Sequence, residues 1–262
     1  MAKVTVRTLQ TLKQEGRKFT SLTAYDATQA HWVSAAGIEV TLVGDSLGMV
    51  VQGQSSTIPV TIDDMAYHTA AVSRGNGDSL LMSDMPFMAA ATPDRALDGA
   101  QALMQAGAEM VKLEGAAWLA PTVEALANNG VPVCAHLGLT PQSVNKFGGY
   151  RVQGKGEAGD QLIADARLLV EAGADIVLVE CIPAALGARL TAALPVPVIG
   201  IGAGAATDGQ VLVLYDMLGM NPGRNARFVK DFMADAATPQ AAIAAYAEAV
   251  RAGHFPAEEH QF

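Results

Sequence analysis

The sequence predicts an α/β fold: a (β/α)8 TIM barrel spanning residues 1–262 as one domain, with a short N-terminal helix and a C-terminal helical tail. Three observations carry this. Eight short apolar strands are spaced along the chain among helical segments, with no linker-like break. The 262 residues are the length at which eight such units close. Half of the residues are hydrophobic, mostly Ala, Val and Leu, and aromatics are few, as in strands buried on both faces. A doubly wound open sheet is the rival. No Gly-x-Gly-x-x-Gly follows the first strand, and Gly200-x-Gly202-x-Gly204 comes too late to serve as one.

Residues 3–16 form a short helix on the apolar spacing of Val6, Leu9 and Leu12. Phe19 to Ala24 is the first strand, and the helix Ala27 to Ala36 stops at Gly37. Val40 to Gly44 is the second strand, closed by Asp45-Ser46 and a polar loop to Pro59. Thr61 and Asp64 are spaced as a capping box for a helix reaching about Arg74. Leu80 to Ser83 is the third strand, and Thr92-Pro93 opens a helix that stops at Gly107. Met110 to Leu113 is strand four; a helix from Ala120-Pro121 leads to strand five, Val131 to Ala135.

The stretch Gly138 to Gly159 is long for a strand-to-helix connection, and such loops are usually functional. Asp160 to Ala172 is a helix, Ile176 to Val179 strand six, and Pro183 to Ala193 a helix. Val196 to Ile201 is strand seven and Val211 to Leu214 strand eight. An Ala-rich amphipathic tail runs from Phe228 to Arg251.

Composition excludes several classes. The formal net charge of −9 argues against a nucleic-acid footprint, which needs a basic face, and against docking on anionic lipid. No apolar run approaches a membrane span, and the first residues hold no apolar signal region. Cys134 and Cys181 each sit inside an apolar run, as small buried hydrophobes do. A soluble cytoplasmic protein is expected.

Three segments share one pattern: residues 36–45, 106–115 and 172–181. Each begins Ala-Gly, continues as a strand, and has a carboxylate at or next to its end: Asp45, Glu114 and Glu180. Such carboxylates cost desolvation unless something pairs with them, so three together imply a shared site that holds a cation. Period two then sets which side chains share a face. Barrel-facing alternation places Asp45, Asp84, Glu114, His136 and Glu180 around the mouth, with Lys112 one layer down. Asp45, Asp84 and Glu114 make an all-oxygen set suited to a hard cation, Mg²⁺ before others. Cys134 and His136 do not make a zinc site, because no second Cys or His lies at ligand spacing.

Alternatives stay open at single residues. Asp45 alone also fits a helix N-cap. Glu180 is either a general base of raised pKa or a salt-bridge partner of Lys112 or Arg151. His136 either donates to an anionic substrate or is a satisfied core histidine. Lys112 either holds a carboxylate or enolate or balances the acidic ring. Gly200 to Gly204 fits a phosphate site or, on balance, tight strand packing.

Several motifs resemble one family: Thr23-Ala24-Tyr25-Asp26, Val43-Gly44-Asp45-Ser46-Leu47-Gly48-Met49, Asp84-Met85-Pro86-Phe87 and Lys112-Leu113-Glu114-Gly115. His136-Leu137-Gly138-Leu139-Thr140-Pro141-Gln142, Gly148-Gly149-Tyr150, Gly200-Ile201-Gly202-Ala203-Gly204 and the tail Phe255-Pro256-Ala257-Glu258-Glu259-His260 extend the match over nearly the whole chain. Together they resemble the ketopantoate hydroxymethyltransferases. The resemblance implies a Mg²⁺-dependent barrel of the phosphoenolpyruvate/pyruvate type. It implies hydroxymethyl transfer from 5,10-methylenetetrahydrofolate to 3-methyl-2-oxobutanoate, giving 2-dehydropantoate for pantothenate synthesis. Asp45, Asp84 and Glu114 match its metal positions. Ser46, Asp84 and Lys112 match substrate contacts, and Asp45 and His136 join them at the mouth. Glu180 matches the proton acceptor. Homo-oligomers, commonly decamers, are expected. The rivals are a lyase of isocitrate-lyase type, an oxaloacetate decarboxylase, or a non-catalytic metal-binding barrel. The first two handle more acidic substrates and call for more Arg at strand ends, where Arg151 is the loop candidate.

Overall fold

The computed structural model describes residues 2–223 and 225–262. The strands are β1 Phe19–Thr23, β2 Val40–Val43, β3 Leu80–Asp84, β4 Met110–Glu114, β5 Val133–Gly138, β6 Ile176–Glu180, β7 Val198–Ile201 and β8 Gly209–Leu212. The α-helices are α1 Val6–Gln14, α2 Ala27–Ala35, α3 Leu47–Val50, α4 Ile62–Gly75, α5 Pro93–Gln105 and α6 Ala120–Asn128. They continue as α7 Val144–Phe147, α8 Ala158–Glu171, α9 Ala184–Ala193, α10 Leu214–Met217 and α11 Pro239–Arg251. All strands are parallel and pair in chain order, and β8 returns to β1, so the expected barrel is closed.

Helix boundaries follow their caps. Thr61 and Asp64 form a reciprocal capping box at α4, and Thr92 caps α5 ahead of Pro93. Gly37, Gly107 and Gly173 all take positive φ and reverse the chain from helix to strand. Beyond each, the following N–H reaches back to the helix: Ile38 to Val33, Ala108 to Leu103 and Ala174 to Leu169.

Several expectations shift. Strand seven starts at Val198, two residues later than expected, and the connections after β2 and β5 contain the short helices α3 and α7. Strand eight lies two residues earlier than expected, because Leu214 starts α10, its N–H donating to the Thr23 hydroxyl at 2.8 Å. Strand five starts at Val133, after Pro132, which lacks an N–H to offer, and it extends to Gly138. Residues 228–237 are not helical. There Phe232 N–H donates to the Met217 carbonyl and Met233 N–H to Asp231, and α11 begins only at the Thr238-Pro239 cap. No helix separates β7 from β8, only residues 202–208.

That short connection explains the glycine run. A Cβ on Gly200 would meet Thr207 Oγ1 at 2.7 Å, one on Gly202 would meet Phe228 at 2.9 Å, and one on Gly204 would meet Ala184 at 2.7 Å. Gln210 Nε2 donates to the Gly204 carbonyl and to Thr207 Oγ1. Packing, the reading favoured from the sequence, accounts for these glycines.

The seam between β8 and β1 is sealed by α11. Tyr246 is fully buried and its hydroxyl lies 3.0 Å from the Ser21 carbonyl and 2.9 Å from that of Gln210. Phe232 and Phe255 stack edge-on around its ring. Helix α1 carries Leu9 and Leu12 into the core. Among the described residues no helix is long and apolar enough to cross a membrane. Cys134 and Cys181 are buried and unpaired.

The amino-terminal end of the barrel repeats one device four times. Glu39, Glu109, Asp175 and Asp208 each precede an even-numbered strand. Each carboxylate accepts a backbone N–H of the preceding odd strand: Thr20, Leu81, Val133 and Val198, at 2.8–3.0 Å. Three of these acids also meet a cation: Arg251 at Glu39, Lys3 at Glu109 and Lys13 at Asp208. Asp175 has no such ion pair among the described residues, and burial raises its pKa. A carboxyl whose folded pKa is raised contributes stability below the unfolded value, and that contribution is lost as pH rises through the folded one. Asp175→Asn is therefore expected to be more favourable at pH 7 than at pH 3 relative to the parent chain. Asp208→Asn, which gives up the Lys13 pair, is expected to cost about 1.5–3 kcal/mol. Urea unfolding at both pH values checks this contrast; equal effects at the two positions would refute it.

Candidate active site

The carboxyl ends of β2 to β6 bring the mouth residues together. Asp84 closes β3, Glu114 closes β4, His136 lies in β5, and Glu180 closes β6, while Asp45 follows β2. Pairing sets Asp84 opposite Lys112, Glu114 opposite His136, and Gly138 opposite Glu180. Strands of such a barrel are tilted, so positions level along its axis advance by about one residue per strand. Asp84, Glu114, His136 and Glu180 thus lie near one height with Lys112 below Glu114, as the alternation predicts.

The contacts are close and buried. Lys112 Nζ lies 2.9 Å from Asp84 Oδ1, 3.7 Å from Glu114 Oε1 and 3.1 Å from His136 Nδ1. An ammonium only donates, so Nδ1 accepts and the neutral ring carries its proton on Nε2. Nε2 faces Glu180 Oε2 at 3.5 Å. The side chain that faces Glu180 is therefore His136, and among the described residues neither Lys112 nor Arg151 forms an ion pair with it. Nδ1 is also 3.3 Å from Glu114 Oε1. Asp45 donates its backbone N–H to Asp84 Oδ2 at 3.0 Å. Ser46 Oγ bonds the Tyr25 hydroxyl at 2.9 Å, and Gly44 leaves it room, since a Cβ there would fall 2.7 Å from that oxygen.

The electrostatics follow from four acids gathered around Lys112 and His136. Burial, then the charges of Asp84 and Glu114, push Asp45 well above the usual carboxylate range. Burial also raises Asp84, against the pull of Lys112. Burial works to raise Glu114, but His136, Lys112 and the Gln142 N–H outweigh it and hold it low. Burial works to lower Lys112, but Asp84, Glu114 and Asp45 keep its ammonium above its ordinary value. For His136, burial and Lys112 oppose protonation, and the two flanking glutamates raise its pKa.

Two residues belong to this site that periodicity did not single out. Gln142 donates from its side chain to Asp45 and from its backbone to Glu114. Tyr150 hangs near the mouth from the connection after β5. Its hydroxyl contacts Met49 Sδ at 3.5 Å, and burial, then Glu180, Asp45 and Glu114, raise its pKa. Phe87, Met88 and Trp118, in the connections after β3 and β4, are exposed and give the same end of the barrel an apolar rim.

The donor set suits a hard cation. It consists of carboxylate oxygens in acidic excess. Asp84 Oδ1 and Glu114 Oε1 are buried with no hydrogen bond beyond their ion pairs. The side chains do not converge on a single point in this conformation: among the described residues no three His, Cys, Asp or Glu are gathered closely enough to enclose an ion.

The family model described as ketopantoate hydroxymethyltransferase matches residues 3–258. The chain belongs to the ketopantoate hydroxymethyltransferase family. A curated relative from Marinobacter nauticus, named 3-methyl-2-oxobutanoate hydroxymethyltransferase, is 61% identical over 99% of this chain and 98% of its own. One from Pseudomonas entomophila, 3-methyl-2-oxobutanoate hydroxymethyltransferase 2, is 60% identical over 100% and 99%. Among solved structures, 2,3-dimethylmalate lyase, a member of the PEP mutase/isocitrate lyase superfamily, superposes with a TM-score of 0.58. It is 17% identical and covers 79% of this chain and 80% of its own, a likeness of fold. Family membership sets aside the lyase, decarboxylase and non-catalytic readings.

Proposed function

We propose that the chain transfers a hydroxymethyl group from 5,10-methylenetetrahydrofolate to 3-methyl-2-oxobutanoate, giving 2-dehydropantoate and tetrahydrofolate, with Mg²⁺ as its cofactor. The observation that carries this is the separation of one carboxylate from the rest. Asp84 and Glu114 gather on Lys112, with Asp45 joined to them through its N–H bond to Asp84 and through Gln142, whereas Glu180 stands on another strand with only His136 between. One group of acids is then available to hold a cation and the other to move a proton.

Asp45, Asp84 and Glu114 are the residues to hold Mg²⁺, which when bound acidifies the proton on the carbon next to a ketone. Glu180, the least buried of the four acids, takes that proton. Lys112 sets a fixed positive charge where the resulting enolate oxygen carries its charge. His136 Nε2 is buried without a hydrogen-bond partner, so a donor is available to an oxygen of the keto acid. The Ser46 hydroxyl, oriented by Tyr25, is a second polar contact for the acid's carboxylate. The enolate carbon forms its new C–C bond to the one-carbon unit of the folate; both C–N bonds to that carbon break, a water molecule supplies the hydroxyl oxygen, and the two folate nitrogens take up the proton removed by Glu180 and one from the water, which leaves tetrahydrofolate. The exposed rim of Phe87, Met88 and Trp118 offers apolar surface to that bulky donor.

The purified chain with both substrates and Mg²⁺ is expected to form 2-dehydropantoate. With the keto acid and Mg²⁺ alone it is expected to exchange the C3 proton for solvent deuterium. Full activity after chelation of divalent ions, or no exchange with Mg²⁺ present, would overturn the proposal.

A further inference from the structure

Gln142 lies in the 3-10 turn Pro141–Ser143, just beyond β5. Its Nε2 donates to Asp45 Oδ2 at 2.8 Å and to the Met85 carbonyl at 2.9 Å. Its backbone N–H donates to Glu114 Oε2 at 3.0 Å. One residue thereby ties together the ends of β2, β3 and β4. Both atoms facing Nε2 are acceptors, which fixes the amide with its NH₂ toward them.

We propose that Gln142 is a positioning residue of the cation site. It occupies one oxygen of Asp45 and one of Glu114, so that the other oxygen of each is presented to a divalent cation. This rests on the assignment of Asp45, Asp84 and Glu114 as metal ligands made above.

The physical case starts from the two oxygens of a carboxylate. A free carboxylate turns about its last bond and presents either oxygen. Bonding one oxygen to a fixed donor stops that rotation and gives the other a direction. Glu114 has this form: Oε2 is held by Gln142, and Oε1 is buried with no hydrogen bond, 3.3 Å from His136 Nδ1 and 3.7 Å from Lys112 Nζ. Asp45 is held in the same sense through Oδ2, and the Met85 carbonyl anchors the amide that holds it. Two N–H donors among three acids also lower their mutual repulsion before an ion arrives. Partners of this kind, outside the ligand set, are worth about 10–100-fold in metal affinity. The contact to Glu114 is made by backbone, so a side-chain substitution removes only the Asp45 half, and the low end of that range applies.

Mn²⁺ is the probe, its free-ion signal followed by electron paramagnetic resonance in the full chain with no substrate present. Gln142→Met keeps the length and bulk of the side chain without its donors. It is expected to raise the Kd for Mn²⁺ about tenfold, and to recover much of the parent kcat when metal is saturating. A space-filling role predicts no change, so a Kd within about twofold of the parent overturns the proposal. Gln142→Asn keeps an amide but is one methylene too short to span Asp45 and Met85, and it is expected to weaken Mn²⁺ in the same direction. It carries the test if the Met variant does not fold. A parent chain that itself fails to bind Mn²⁺ overturns the ligand assignment and this proposal together. A parent that binds, with both variants unchanged, overturns the role of Gln142 alone.

Discussion

Replacing Glu180 by Gln is expected to abolish solvent deuterium exchange at C3 of 3-methyl-2-oxobutanoate and to lower kcat by about 10²–10⁴-fold. Mg²⁺ binding is expected to survive. The substitution keeps shape and removes only the proton-accepting oxygen, and among the described residues Glu180 has no hydrogen bond or ion pair to Asp45 or Asp84; His136 Nε2 faces it at 3.5 Å. Exchange followed by nuclear magnetic resonance and metal affinity followed by calorimetry separate the two roles. Normal exchange in the variant would remove Glu180 as the base. Loss of exchange together with loss of Mg²⁺ would make it a ligand instead.

Asp84→Ala is expected to raise the Kd for Mg²⁺ by at least about 100-fold, the upper end of what is lost when only an outer partner of a metal ligand is removed. Asp84 also accepts the Asp45 backbone N–H and pairs with Lys112, so its loss unsettles two neighbours at once. Asp84→Asn separates these effects: it keeps an acceptor for the Asp45 N–H while giving up the charge. If charge decides, Asn and Ala bind Mg²⁺ equally poorly. Unchanged affinity in both Asp84→Ala and Asp45→Ala would refute the assignment of these residues to the metal.

Most of this geometry is legible in the sequence because parallel strands are written plainly. A strand buried on both faces is a short apolar run, and the first polar residue after it marks the mouth. Alternation then puts Lys112 and Glu114 on one side of one strand, and pairing puts Asp84 and His136 beside them. Gln142 escapes this logic. Its reach to Asp45, 97 positions away, is set by the turn after β5 and by the left-handed conformation of Gly138, not by any local period. Strand eight is misleading for a different reason: the apolar run Val211 to Leu214 looks like a strand on its own. The pairing that defines it begins at Gly209, directly after an acid, as in β2, β4 and β6.

That same acid has a visible signal. Glu39, Glu109 and Asp175 occupy one column of the three matched segments, two places after each glycine. Their partners are N–H groups on neighbouring strands, which only the closed register supplies.

The two ends of the barrel therefore follow different rules. At the amino-terminal end the pattern recurs with every second strand, including β8, where Asp208 completes it. At the mouth the carboxylates come at the ends of consecutive strands β2, β3 and β4 and again at β6, and β8 runs into α10 without one. Closure of the ring is modular and chemistry is not. Residues at the mouth can be exchanged without disturbing the clasps that close the ring, so a scaffold of this kind can acquire a new reaction while keeping its architecture.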